Sequence, residues 1–479
     1  ALVAFACWLA WPVGDAAAVV PVPPAIPAQI DTGESHSCAV VEKGKVLCWG
    51  LAASGQLGPL GLAGGGSLPK ALKAVEVPGL PSVDQVAVGD LFSCARARGD
   101  LSAPNSVWCW GANQMAQLGR GTVGTTKSPW SAIPARVLGL SGVKQVVAHR
   151  ARACAVTSTG TVSCWGELCP WMDLSTAANQ VEWCWDDKGQ RKVYSRPVAI
   201  PGISGATQIS LAYDTGCAVV TGGGVVCWGG NRNGQLGYDP NATVVNGEPR
   251  NFSPSGVRIA GLSKVRQVAV GIFNACALLE DWTVKCWGGM NYNGEWGDGS
   301  KLYEPPAQPV NEHPRLTPSP VAGIRSAIAI AGDSSQYCAL LSHDEGDASV
   351  TPLTVKCWGA PWLGGSSRVP NLVPVTVPGF DAVTQVATGG NNICVRRWNA
   401  PAKCLGPNSM GQLGNGTTID SSWPVEVIRM GSTSSNPLHV DDVMWSARPG
   451  TTGTVSDGYP QYAGPVLPAP GSAGTGSKA

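Results

Sequence analysis

The chain has 479 residues and a formal net charge of +1, with 62 Gly, 38 Pro and only 14% charged residues. Apolar residues reach 44%, enough to bury a core, so wholesale disorder is excluded. Lys and Arg form no block, so composition argues against a nucleic-acid backbone or an anionic membrane surface as partner.

Residues 1–26 read as an apolar leader. The run from Ala1 to Ala10 stops near Val13 and is followed by Ala16-Ala17-Ala18, which has the look of the end of a secretory signal. It is too short to be read as a membrane span.

From Pro27 onward the chain repeats itself. The clearest unit is Val265-Arg266-Gln267-Val268-Ala269-Val270-Gly271, then Cys276-Ala277-Leu278-Leu279, a turn, and Val284-Lys285-Cys286-Trp287-Gly288. Its first segment recurs at Val83–Gly89 and Val383–Gly389, with weaker copies starting at Pro27, Val143, Ala206 and Ser326. Alternating apolar residues in each segment predict short strands. A Cys falls five residues after the Gly position in six copies, at Cys38, Cys94, Cys154, Cys217, Cys276 and Cys394. Gly332 to Cys338 reads as a seventh copy with one extra residue.

A second Cys follows ten positions later in five copies. These pairs are Cys38 with Cys48, Cys154 with Cys164, Cys217 with Cys227, Cys276 with Cys286, and Cys394 with Cys404. With a turn between them, the two cysteines are set opposite one another on antiparallel strands, close enough for a disulfide. In the remaining copies, Cys94 with Cys109 and Cys338 with Cys357, the hairpin loop is longer. These seven pairs and Cys169 with Cys184 leave only Cys7 over. No CxxC occurs and the five His are scattered, so metal ligation is the weaker reading and an oxidising compartment the stronger.

Trp follows the second Cys at Trp49, Trp110, Trp165, Trp228, Trp287 and Trp358, with Leu405 in the last copy. A core position explains this stripe better than a ligand-binding aromatic ring. Next comes Gly-Gln-Leu-Gly at 55–58, 234–237 and 411–414, with variants at 116–119 and 294–297. Copy six shortens it and copy three replaces it by an insertion at 167–195. No Gly-Lys-Ser/Thr follows, so these glycines read as turns rather than a phosphate loop. A Pro-initiated strand closes the unit, as at Pro134, Pro374 and Pro424.

The ordered combination of strand, Cys-Trp-Gly and Gly-Gln-Leu-Gly resembles the regulator of chromosome condensation repeat, over residues 27–430. The resemblance implies an all-β, seven-bladed propeller with one disulfide inside each blade. The lone Pro-Val-Glu-Val at 424–427 resembles a strand by which first and last blades join. The family's founding member exchanges nucleotide on a small nuclear GTPase, but none of its residues is carried over, and paired cysteines argue against a reducing nucleus. Fold alone implies a recognition surface rather than a reaction.

Departures from the repeat are where individual function belongs. The insertion at 167–195 carries its own Cys169–Cys184 pair with Trp171, Trp183 and Trp185, and reads equally as a protein-binding knob or a self-packed loop. The acidic run 343–347 reads as a solvated loop, with calcium as the alternative. Asn241, Asn251 and Asn415 head glycosylation sequons. Residues 431–479 form a Gly/Ser/Pro-rich tail. No HExxH, GxSxG or local cluster of His and carboxylates appears. The expectation is a secreted, non-catalytic protein-interaction scaffold without cofactor. It would be a structural or adhesive subunit of a cell-surface or extracellular assembly, with proteins (copies of itself included) as partners. A monomeric secreted inhibitor or receptor ectodomain is the alternative, and a nucleotide exchange factor a more distant one.

Overall fold

The computed structural model describes residues 30–60, 69–98, 105–168, 192–239, 252–289, 291–300, 314–342, 353–360, 370–398 and 400–430. The leader, the tail, Cys169, Trp171, Trp183, Cys184, Trp185, Asn241, Asn251 and the run 343–347 lie outside them. Among the described residues no helix is long and apolar enough to cross a membrane.

Among these residues, twenty-eight strands form seven four-stranded antiparallel sheets, the blades of a propeller. Each blade takes four strands in chain order, from the central channel outward. Blade 2, for example, is Val83–Val88, Phe92–Ala97, Val107–Ala112 and Trp130–Arg136. Blade 1 begins with Ile30–Thr32 and blade 7 ends with Ser421–Glu426. This last strand pairs with Ala400–Gly406 of its own blade, so no strand is exchanged and the expected permutation is absent.

In every blade the second and third strands place the two repeat cysteines directly opposite each other. Seven disulfides result among the described residues, all with Cα atoms 4.0–4.1 Å apart. In blades 1 to 4 they are Cys38–Cys48, Cys94–Cys109, Cys154–Cys164 and Cys217–Cys227. Cys276–Cys286, Cys338–Cys357 and Cys394–Cys404 follow in blades 5 to 7. Every expected blade pair therefore forms as the spacing predicts, and only Cys169 with Cys184 falls outside the described residues. The longer hairpins of blades 2 and 6 leave this register intact.

The apolar core is divided into seven clusters, each filling the gap between adjacent blades. In six of them the disulfide of one blade shares a cluster with the Trp of the next. Cys94 and Cys109 do so with Trp165, Cys154 and Cys164 with Trp228, and Cys217 and Cys227 with Trp287. Cys394 and Cys404 close the ring against Trp49 of blade 1. In the seventh, Cys338 and Cys357 share theirs with Leu405. The Trp stripe is core: Trp49, Trp110, Trp165, Trp287 and Trp358 are wholly buried.

Adjacent blades share no β-ladder, so other groups must satisfy the backbone between inner strands. A glutamine does this at one repeated position. Gln85 accepts the Val146 N–H and donates to the Val146 carbonyl, at 3.0 and 2.7 Å. Gln145 does the same to Ile209, Gln208 to Val268, Gln267 to Ile330 and Gln385 to Ile30. The Gln385–Ile30 pair closes the ring from blade 7 to blade 1.

The Gly-Gln-Leu-Gly turns fasten the blades a second time, further out. The Gln56 carbonyl accepts the indole N–H of Trp110 in the next blade, at 2.8 Å. Gln117, Gln235, Glu295 and Gln412 hold Trp165, Trp287, Trp358 and Trp49 in the same way. Inside each turn the Gln or Glu side chain accepts the N–H two residues before it, as Gln56 does from Ser54. Leu405, whose side chain has no N–H, follows the blade whose turn the sequence shortens.

The expected Pro-initiated strand needs a correction. Pro134, Pro197, Pro318, Pro374 and Pro424 sit inside the outer strands, one residue before the partner of the second Cys. A Pro on a rim strand removes a donor that would otherwise invite another strand. In blades 1 and 4 the place is taken by Ala74 and Gly256, whose N–H groups donate to Ile428 and Pro201 of the preceding blade's exit segment.

The sixth copy has regular spacing rather than an extra residue. Ala331 pairs with Cys338 as Ala387 does with Cys394, so Asp333, not Gly332, occupies the Gly position and the copy starts at Ala327.

Replacing Gln208 by Leu should leave the buried N–H and carbonyl of Val268 without partners. Each such group costs about 1–3 kcal/mol, so urea denaturation with disulfides intact should show the variant about 2–4 kcal/mol less stable. An unchanged midpoint would show that the glutamine ring does not hold the blades together.

Candidate functional site

The inner strands surround a channel cavity of about 600 Å³. They all run the same way along it, so residues at strand starts share one end and residues at strand ends share the other. The repeat keeps Gly at the strand-end position for steric reasons. A Cβ on Gly89 would lie 2.7 Å from the Arg150 carbonyl oxygen, and one on Gly389 only 1.7 Å from that of Thr32. Three blades break this rule, with His149, Ala212 and Asp333 at the position. Two of these replacements are polar, and they meet across the channel.

His149 of blade 3 and Asp333 of blade 6 are 3.0 Å apart, Nε2 to Oδ1. The other ring nitrogen, Nδ1, accepts the Tyr213 backbone N–H at 2.8 Å, which places the proton of the neutral ring on Nε2, pointing at Asp333. Asp333 also accepts N–H groups from Ser334 and, at 2.9 Å, Gly390. The pair is a strut between blades that are not neighbours. Arg150, Tyr213 and Ser334 next to it hold left-handed backbone at φ of 51°, 49° and 52°. Non-glycine residues pay steric strain there, and the Arg150 guanidinium lies 4.3 Å over the Tyr213 ring.

Asp31, Glu34 and Asp90 complete this end of the channel. Asp31 accepts N–H groups from Thr32 and Val88, yet its burial dominates and lifts its pKa to about 7, with Asp333 adding repulsion. Burial also raises Asp90 and, together with Asp90 itself, Glu34. For His149 burial opposes the charge, but the Asp333 carboxylate outweighs it and the pKa is raised. Protonating Nδ1 would, however, break its bond to Tyr213.

The opposite end is cationic. Lys144, Arg266 and Arg396 line it, with Glu280 as the carboxylate among them. Arg266 lies 4.4 Å over the Trp282 ring, and Trp398 beside Arg396 is 56% exposed. Nearby, Arg96 is held by Asp84 at 2.7 and 2.8 Å and donates to the Lys144 carbonyl. A net charge of +1 therefore conceals a channel with an acidic end and a basic end.

Both nitrogens of His149 are engaged, one by Asp333 and one by the Tyr213 N–H. Among the described residues no three His, Cys, Asp or Glu side chains are set to hold a metal. The cluster unites five distant segments, which explains why no local motif announced it. Its one signal in the sequence is the loss of Gly at two repeat positions. Of the three sequons only Asn415 is described. Its Oδ1 accepts the Thr417 N–H and hydroxyl, as Asp298 Oδ1 accepts those of Ser300 in blade 5, so this tripeptide also has a turn-forming role.

A carboxyl whose folded pKa lies above its unfolded value stabilises the fold only while protonated. Asp31, ordinarily at 3.8, and at about 7 here, should therefore cost stability progressively as pH rises from about 4 to about 7. Denaturation curves across that window should fall for the native chain and flatten for Asp31→Asn. Parallel curves would place the Asp31 pKa near its ordinary value.

Residues 28–56 and 105–156 match the regulator of chromosome condensation (RCC1) repeat. The human probable E3 ubiquitin-protein ligase HERC6 is 32% identical over 254 residues, 52% of this chain and 22% of that protein. The Arabidopsis thaliana ultraviolet-B receptor UVR8 is 27% identical over 278 residues, 57% of this chain and 55% of that protein. The chain thus spans little more than half, or less, of the length of these relatives. Among solved structures, Prp20p of Saccharomyces cerevisiae superposes with a TM-score of 0.62 at 20% identity, covering 81% of this chain and 87% of that one. Human WBSCR16 gives 0.60 at 19%, covering 80% and 93%. These matches, with seven blades of which six carry Cys-Trp-Gly, identify regulator of chromosome condensation repeats at residues 28–56 and 105–156 of a chain that folds as a seven-bladed propeller.

Proposed function

We propose that this protein is a non-catalytic interaction scaffold that works outside the cell, as a structural or adhesive subunit of a cell-surface or extracellular assembly. The carrying observation is a disulfide at the equivalent buried position of every blade. Cytosolic and nuclear compartments keep such thiols reduced, whereas secreted proteins keep them paired. Each short loop so closed adds roughly 2–3 kcal/mol on a chain-entropy account. That gain suits a protein exposed to conditions where unfolding is not repaired.

The fold supports recognition of proteins. Prp20p is described by its binding to Gsp1p and histones, which illustrates a propeller of this kind holding protein partners. Those partners are not transferred to this chain, because the likeness at 20% identity concerns the fold. The insertion with Trp171, Trp183 and Trp185 is a proposed contact, and glycans on Asn241, Asn251 or Asn415 would belong to the same secreted setting.

The native mass of protein purified from its source without reductant tests the reading. A mass many times 49.3 kDa is expected. A clean monomer would rule out the assembly role and favour a secreted inhibitor or receptor module instead.

A further inference from the structure

The two ends of the channel differ in a way that a binding module for one partner does not need. Lys144 and Arg266 stand exposed at the end where inner strands begin. Glu34 stands exposed at the other, with Asp31, Asp90 and the His149-bonded Asp333 behind it and Arg150 as the cation among these carboxyls. The basic end also presents Trp398 and the Arg266–Trp282 stack, the aromatic and arginine side chains that concentrate in protein interfaces. We propose that copies of this chain stack head to tail, the basic end of one channel seated on the acidic end of the next.

A second copy is the occupant that the charges favour. The complementary surface is carried by the same molecule, and a net charge of +1 lets a stack grow without accumulating charge. Two like ends would set Lys144 and Arg266 against their own kind, a repulsion that disfavours a symmetric dimer. A contact between unlike ends is heterologous, and when the rotation does not close it continues into a filament. This inference rests on the assembly role proposed above and supplies its geometry.

The test uses the oxidised full chain in sedimentation velocity at about 20 mM and about 500 mM salt, where screening lengths fall from about 20 Å to a few Å. The native chain should stack at low salt and lose at least roughly tenfold in association at high salt. K144E/R266E makes both ends acidic, and E34K/D90K makes both basic. Each, where folded, should stay monomeric alone, and an equimolar mixture should recover stacks. A native chain that is monomeric at both salts, or folded variants that associate like the native chain, would overturn the proposal. Should E34K/D90K fail to fold, K144E/R266E and the salt series still decide. A large native assembly that survives K144E/R266E would sink the stacking contact while leaving the scaffold role standing.

Discussion

A propeller has one structural weakness: its blades are joined by loops and packing, not by a continuous β-ladder. Everything else in this molecule depends on how the gap between blades is sealed. Here the seal is a side chain that imitates backbone. Each glutamine amide uses an N–H and its carbonyl to pair with the C=O and N–H of a single residue in the next inner strand. An unpaired buried peptide group would cost as much as a lost hydrogen bond, so the polar residue is favoured within an otherwise apolar strand. The indole-to-carbonyl bonds repeat the device further out. Ring closure then needs no exchanged strand, because Gln385 and Gln412 reach Ile30 and Trp49 as Gln85 and Gln117 reach Val146 and Trp165.

The disulfides belong to the same design. Each lies in the gap between blades, most against the Trp of the following blade, so the staple within one hairpin also shapes the surface on which the next blade packs. In the gap after blade 6, Leu405 takes the place that Trp holds in the other six gaps.

Much of this is legible in the sequence because the repeat is periodic. The ten-residue spacing of cysteines predicts the register that pairs Cys38 with Cys48, Cys154 with Cys164, Cys217 with Cys227, Cys276 with Cys286 and Cys394 with Cys404. The Trp stripe likewise predicts core. Gln85, Gln267 and Gln385 stand in plain view within the repeated segment, but their role needs the neighbouring strand, which only the closed ring supplies. The sixth copy misaligns because Gly332 precedes Asp333, and a Gly is what the repeat leads one to seek. That slip hides the site. His149 and Asp333 are 184 positions apart, and only the return of blade 6 opposite blade 3 makes them a pair. Charge misleads in a similar way, since a balanced total says nothing about which end of a channel each charge occupies.

What makes the molecule a candidate extracellular scaffold is the combination of a rigid, stapled ring and two chemically different ends. A strut of His149 and Asp333 ties distant blades, and proline in five outer strands discourages pairing at the rim. Pairing at the strand edges is thereby disfavoured. The most direct check is the redox state of the cysteines in protein taken from its source, alkylated before any reductant is added and mapped by mass spectrometry. All fourteen blade cysteines should be unlabelled and recovered as the seven pairs within blades. Alkylated blade cysteines in the denatured but unreduced protein would contradict an extracellular role, and would return the chain to a reducing compartment.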